Sequence, residues 1–376
     1  MSPVPYRCWV EVSRERIAEN YRAVTALVGQ GVAVMPVVKA DAYGHGAVEV
    51  SRTLESAGAR WLAVSSVEEG VTLRDAGIRA RVLVMADFLP AEREALLDYH
   101  LTPAIHSLSD LYEFDRLAAR RGLRVPYHLK IDSGMGRLGT RAAGPELLEA
   151  VTAARYAWLE GLMTHFASAA LYSSPQTNEQ ITYFHALAAA LAAAGVHPQY
   201  THLSATIPIA YARREAWGTM VRPGHAIYGY VSPLLGPAPT RALRVRPALE
   251  WKAAILEVKE LPQDTPVGYG AMFRTSRRTR LAILSVGYAD GFPHRLSNKG
   301  YVLAAGRLAA VLGAVSMDLT TVDLTDCPQL NSGDAVTLLG EDNGARIDAQ
   351  RIARLAGTIS YSVLCGISAR VKRIYR

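Results

Sequence analysis

The sequence predicts an α/β protein in two parts: an N-terminal (β/α)8 TIM barrel over residues 1–235 and a β-strand domain over residues 236–376. Three observations predict it. Short apolar runs alternate with helical patterns eight times before residue 235. The runs are continuous rather than alternating, as expected of strands covered on both faces. Beyond a Pro- and Gly-rich stretch, Ser232-Pro233-Leu234-Leu235-Gly236-Pro237, the pattern changes to strands and turns. A chain of 376 residues is also long for one small core and suits two domains.

Strands are expected at 33–39, 61–65, 81–86, 101–105, 125–132, 159–164, 199–203 and 219–222. Helical spacing is seen at 13–29, 45–57, 67–76, 90–99, 107–120, 145–156, 176–195 and 206–214. Eight strands with intervening helices suggest a closed barrel, and one strand fewer would favour an open doubly wound sheet. In the second part, 243–260, 281–287, 301–304, 309–317 and 334–339 read as strands. Only 348–356 reads as a helix there.

Composition narrows the function classes. No apolar stretch approaches the ~18 residues of a membrane span. The start lacks the apolar core of a secretion signal, and Cys8, Cys327 and Cys365 lack metal-ligand spacing, so a cytoplasmic protein is expected. The formal charge is +7, but the arginines are scattered among acids. The one dense cluster, Arg274 to Arg280, has no interleaved aromatics, so neither nucleic acid nor membrane is an expected partner. A basic surface still favours anionic ligands.

The most informative residue is Lys39. It ends the apolar run Val32-Ala33-Val34-Met35-Pro36-Val37-Val38 and is one of only six lysines, against 35 arginines. A cation at a buried strand end is costly unless it is paired or loses its charge. A desolvated lysine has a lowered pKa and becomes nucleophilic, which suits the covalent anchor of an aldehyde cofactor. Other strands also end in polar residues: Lys130 and Asp132 before Ser133-Gly134-Met135-Gly136-Arg137, then Thr164-His165, His202, and Arg222-Pro223-Gly224-His225. Barrel chemistry sits at the C-terminal ends of strands. Gly224 with His225, and the Ser204–Thr206 turn, offer backbone N–H groups to a phosphate. No Gly-x-Gly-x-x-Gly opens a helix, so a nucleotide is not favoured.

Taken together, these segments resemble bacterial alanine racemases. Val37-Val38-Lys39-Ala40-Asp41-Ala42-Tyr43-Gly44-His45-Gly46 is similar to that family's cofactor-lysine signature. The likeness continues in order through Lys130 to Gly139, Met163-Thr164-His165-Phe166, Val221-Arg222-Pro223-Gly224, Gly268-Tyr269-Gly270, Ser285 to Gly291, Ser316-Met317-Asp318 and Ile359-Ser360-Tyr361. The resemblance implies a pyridoxal 5'-phosphate (PLP) enzyme, a homodimer with shared active sites, acting on a small amino acid. Lys39 would anchor the cofactor and serve as one base. Tyr269 of the partner subunit would be the other, supported by His165. Arg222 would face the pyridine nitrogen. Tyr43, Ser204, Thr206, Gly224, His225 and Tyr361 would hold the phosphate. Arg137 would meet the cofactor hydroxyl and the substrate carboxylate, and Met317 of the partner subunit would face the substrate. Lys130 matches a lysine that relatives carbamylate. The implied reaction is interconversion of L- and D-alanine for peptidoglycan.

Three departures stand out. His202-Leu203-Ser204-Ala205-Thr206 replaces the family's usual His-x-x-Asn-Ser, His225 stands where an isoleucine is common, and Ala170-Leu171 replaces an acidic pair. Alternatives are a related racemase of serine or broader preference, a barrel-type decarboxylase, and a PLP-carrying homeostasis protein. The last has no second domain, and a decarboxylase needs a cysteine context that Cys327 and Cys365 lack.

Overall fold

The computed structural model describes residues 6–86, 88–237 and 239–376. The chain divides into two units: Arg16–Ala42 with Ala47–Arg246, and the described residues up to Glu15 with Tyr43–Gly46 and Pro247–Arg376. The N-terminal strand β1 (Cys8–Val12) therefore belongs with the C-terminal unit, although the sequence pattern groups it with residues 1–235. Its reason is pairing: β1 lies between two strands of that unit, Leu249–Leu261 and Lys372–Tyr375.

The first unit is a barrel. Its strands are β2 (Ala33–Val34), β3 (Trp61–Val64), β4 (Arg81–Val84), β5 (Thr102–Ile105), β6 (Val125–Lys130), β7 (Ala157–Met163), β8 (Tyr200–His202) and β9 (Met220–Val221). Strands β3 to β8 pair in sequence order, all parallel. Closure runs through β2 and β9. These two pair in parallel, Ala33 with Met220 and Val34 with Val221. On its other side the β2 segment meets β3, where Val38 N–H donates to Ala63 O at 2.8 Å and Ala63 N–H to Pro36 O at 2.9 Å. Strand β9 meets β8 through Thr219 N–H to Thr201 O at 2.9 Å and Arg222 N–H to Ser204 O at 3.0 Å. Eight strands thus form a ring, and the open-sheet alternative is excluded.

Sequence explains the elements locally. Val82, Leu83 and Val84 are all fully buried, as a two-faced strand requires. Burying each such side chain is worth roughly 1.5–3 kcal/mol. Ser66 and Glu69 form a capping box that opens the helix Val67–Asp75. Ser107 caps Leu108–Arg120 by accepting Asp110 N–H at 3.0 Å.

The second unit adds β10 (Leu249–Leu261), β11 (Pro266–Val267), β12 (Phe273–Arg274), β13 (Thr279–Leu284), β14 (Tyr301–Ala304), β15 (Arg307–Ala310), β16 (Thr320–Asp323), β17 (Ala335–Asp342), β18 (Ala345–Ile347) and β19 (Lys372–Tyr375). Its main sheet runs β15-β14-β17-β10-β1-β19, with β13 joining β10 to β16 and β18 pairing with β17. β1 is antiparallel to β10 and parallel to β19. Trp251 and Phe292, both fully buried, meet edge to face at 6.0 Å in its core. The strand expected at 309–317 ends at Ala310, and Ser360–Cys365 forms a second helix that the residue pattern does not mark. Cys8, Cys327 and Cys365 form no disulfide.

Candidate active site

Lys39 comes directly after the last residue tied to β3, and it opens an unusual turn. Ala40, Asp41, Ala42 and Tyr43 have φ of 52°, 50°, 53° and 54°. Four successive non-glycine residues are left-handed, at ~1–2 kcal/mol each. Side chains and backbone hold the turn. Ala42 N–H donates to Val38 O at 2.9 Å. Glu69 Oε1 accepts Ala40 N–H at 2.6 Å, while its Oε2 accepts Ser65 N–H at 2.7 Å. Asp41 Oδ1 accepts Ala47 N–H at 2.7 Å, tying the turn to the start of the next helix. The apolar run before Lys39 marks it as a strand end, but the left-handed turn from Ala40 to Tyr43 has no signature in residue type.

Arg222 is buried after β9, and its guanidinium is almost fully committed. Nη1 donates to His202 Nδ1 and to His202 O, each at 2.7 Å. Nη2 donates to Thr164 O at 2.6 Å and Leu203 O at 3.1 Å, with His165 Nδ1 at 3.5 Å. Of the five donors of an arginine, Nε–H is the one left for a ligand. Burial pulls the Arg222 pKa down to about 9, which still leaves it a cation at neutral pH. Because His202 Nδ1 must accept, the proton of that neutral ring lies on Nε2, 2.8 Å from His128 Nδ1. Burial, followed by Arg222, His128 and Lys130, holds the His202 pKa well below the usual histidine range.

Cations crowd the same mouth. The His165 pKa falls to about 3, first through burial and then through Arg222, Lys130, Arg137 and Lys39. Its imidazole is therefore neutral and serves as a hydrogen-bonding group, not a cation. Lys130 is buried, with Nζ donating to Leu138 O at 3.0 Å. Burial, then Arg222 and Arg137, lower its pKa to about 8, against a smaller opposing pull from Asp132. Asp132 organises the loop that carries Arg137. It accepts N–H from Gly134 at 3.2 Å, Met135 at 2.8 Å and Gly136 at 3.0 Å, and Arg141 Nε–H at 2.8 Å. Burial works against its ionisation, but the Gly136 N–H, Arg141 and the other two amides prevail and bring the pKa down to about 2.

Thr206 offers an anion a donor. Its Oγ1 accepts N–H from both Gly224 and Ala226 at 3.2 Å, so its own proton points elsewhere. Ser204 differs. Its hydroxyl donates to Ala216 O at 2.6 Å, and its single proton is thereby spent within the barrel. Through Oγ, Ser204 offers a phosphate no donor, which leaves the expected contribution of this turn to its backbone N–H groups. The buried His225 ring stacks on Tyr230 at 5.1 Å, so this departure packs.

The remaining expected residues lie in the second unit. Tyr43 and Tyr361 have ring centroids 5.9 Å apart. Tyr269 sits between Gly268 (φ 71°) and Gly270 (φ 67°), a backbone path that glycine allows, and is 76% exposed. Met317 is also exposed. Its carbonyl accepts Ala289 N–H at 3.0 Å, which sets it beside the Tyr288 turn. Arg370 joins Asp290 (2.8 Å) and Asp318 (2.6 Å) beneath that turn. Neither Arg370 nor Glu69 stands out in the sequence, because lone charges in helices and turns read as solvated surface.

A closed barrel with a cationic mouth, a buried arginine holding one spare donor, and a half-buried lysine that shares His165 as a neighbour define an enzyme of the barrel-and-β-domain type. The alanine racemase N-terminal domain family matches residues 12–233, and the alanine racemase C-terminal domain family matches residues 248–375. The chain is 39% identical over 375 residues to the alanine racemase of Halothermothrix orenii, covering 98% of this chain and 96% of that one. The solved alanine racemase of Clostridium difficile 630 superposes with a TM-score of 0.91 at 31% identity, over 99% of this chain and 96% of that one. The alanine racemase of Bartonella henselae, solved with covalently bound pyridoxal phosphate, gives 0.87 at 26% identity, over 99% and 100%. This chain belongs to the alanine racemase family, and it is a racemase, an isomerase.

Proposed function

We propose that the enzyme interconverts L- and D-alanine with pyridoxal 5'-phosphate, using Lys39 and Tyr269 of the partner subunit as opposed bases. The observation that carries the reading is Arg222, locked by four hydrogen bonds of 2.6–3.1 Å with Nε–H to spare. The donor chemistry fits the cofactor: cations for its anionic groups, Thr206 and the Gly224 turn for its phosphate, and Lys39 as covalent anchor. Tyr43 and Tyr361 are the further phosphate contacts that family likeness suggests.

When bound, the cofactor acidifies the α-hydrogen of an amino acid by delocalising the electron pair left behind. Racemisation then needs one group to take that proton and another to return one from the opposite face. Lys39 serves one face. The exposure of Tyr269 on a glycine-flanked turn suits a hydroxyl that serves a neighbouring subunit, so a homodimer follows. Arg222 donates a hydrogen bond without surrendering its proton, which limits electron withdrawal and so suppresses side reactions. Neutral His165 supports the tyrosine, Arg137 holds the substrate carboxylate, and Met317 of the partner subunit borders the substrate. Lys130, part of it neutral near pH 8, can add CO2 and release a proton, giving an anion that orients Arg137. The product D-alanine would serve peptidoglycan building in the cytoplasm.

One experiment tests anchor and bases together. The purified protein should absorb visible light, lose that band on borohydride reduction and carry the label on Lys39. Tyr269→Phe should lower alanine racemisation by ~10²-fold or more. A colourless protein, label on another lysine, or full activity in the variant would overturn the assignment. Comparing alanine, serine and lysine as substrates fixes the preference, since one methyl or hydroxyl is worth only ~1–3 kcal/mol.

A further inference from the structure

We infer that Gln180 is a positioning residue whose buried carboxamide ties the loop carrying Arg137 to the loop carrying His165. The inference rests on the racemase reading and assigns a role to a residue of the outer helix Pro175–Ala193, 15 residues from His165 and 47 from Ser133 in sequence. A glutamine in a surface helix ordinarily faces water. Gln180 is 1% exposed, and a buried amide is costly unless its polar atoms are paired.

The pairing is directional. Oε1 accepts Ala167 N–H at 3.0 Å, while Nε2 donates to His165 O at 3.0 Å and to Ser133 Oγ at 3.2 Å. An amide N–H can only donate and a carbonyl can only accept, so the carboxamide has one orientation. Ser133 Oγ lies 2.6 Å from Thr164 Oγ1, which donates to Ile131 O at 2.9 Å. The protons therefore run one way, from Gln180 to Ser133 to Thr164 to Ile131. The chain crosses from helix to β6 loop to the end of β7. Thr164 O in turn accepts Arg222 Nη2–H at 2.6 Å. One turn earlier on the same helix face, Gln176 repeats the stitch: Nε2 donates to Gly134 O at 3.0 Å and Oε1 accepts from Ser168 Oγ at 2.5 Å. Both loops are otherwise fixed at their strand ends, with Asp132 gripping the amides of Gly134 to Gly136. Gln180 is the buried link between them, with Gln176 and the Ser133–Thr164 contact beside it, and it alone holds the backbone on both sides of Phe166, so the separation of Arg137 and His165 depends on it.

The test uses the holoenzyme with Gln180→Ala, Gln180→Glu, His165→Ala and the Gln180→Ala/His165→Ala double variant. Hydrogen exchange should accelerate ~tenfold in peptides spanning 131–140 and 163–170 of Gln180→Ala, with peptides from β3 and β4 unchanged. Its kcat for alanine should fall ~tenfold with a raised KM, and the same change in the His165→Ala background should cost less than about threefold more. Multiplicative losses, wild-type exchange in both loops, or equal acceleration throughout the barrel would each overturn the role.

If Gln180→Ala does not fold, the isosteric Gln180→Glu decides. It keeps the Ala167 contact but sets a carboxylate against the His165 carbonyl. An anion there favours protonated His165 against the opposing Arg222, Lys130, Arg137 and Lys39. The acid limb of kcat should move to higher pH, and an unmoved limb with wild-type exchange overturns the proposal. A wild type that fails to racemise alanine would remove the racemase reading while leaving the exchange data to judge the clamp.

Discussion

Lys130 should titrate at about 8, well below an ordinary lysine. The structural cause is burial first, then the like charges of Arg222 and Arg137, which together outweigh Asp132 and bring the pKa from 10.5 to about 8. The magnitude is chemical. At pH 7 a lysine of pKa 10.5 is neutral in ~0.03% of molecules, and one of pKa 8 in ~10%, a gain of roughly 300-fold in free amine. The effect on stability has a definite sign. The folded state binds this proton less tightly than the unfolded chain, so the penalty is complete below about pH 8 and fades as pH rises to 10.5. The assay is the pH titration of 15N-lysine resonances in CO2-free buffer, feasible because the chain has six lysines. Lys130→Met identifies the signal. Arg137→Met should raise the midpoint, because it removes one of the two opposing cations. A midpoint near 10.5 in the unaltered protein, or one indifferent to Arg137→Met, would refute the reasoning.

Two further perturbations test the loops beside it. Asp132→Asn turns an amide nitrogen toward Gly136 N–H or Arg141, so hydrogen exchange at Gly134 to Gly136 should rise ~tenfold or more near neutral pH. Because the native pKa of Asp132 is depressed from 3.8 to about 2, its contribution is complete above pH 3.8 and is lost as pH falls towards 2, and the two proteins should converge there. Equal exchange at pH 7 would contradict this. Ala40→Gly removes the side chain from an exposed left-handed residue and should stabilise by up to ~1 kcal/mol after unfolded-chain entropy is counted. A lower thermal midpoint would show that the turn is not strained at Ala40.

The barrel is legible in the sequence because its signals are local. Fully buried strands such as 81–84 need unbroken apolar runs, and helices such as Leu108–Arg120 need a cap and a 3.6-residue spacing; both requirements leave marks on residue type. The same locality groups β1 with the barrel. Nothing local distinguishes a strand whose partners, β10 and β19, lie over 200 residues away in sequence. The candidate site divides along the same line. Lys39, Arg222, His165 and Arg137 stand out because a charged or titratable group at the end of an apolar run is conspicuous. The groups that orient them do not. Glu69 looks like any capping-box glutamate, yet its second oxygen holds the backbone after Lys39. Gln180 looks like a solvent-facing helix residue and is buried. Ser204 is offered by sequence through its turn's backbone N–H, and only the fold reveals that its hydroxyl proton is already committed to Ala216. Residue type announces which groups can do chemistry. Only three-dimensional pairing decides which of their protons and lone pairs remain available, and in this barrel that accounting leaves Arg222 Nε–H and the Thr206 hydroxyl for a ligand.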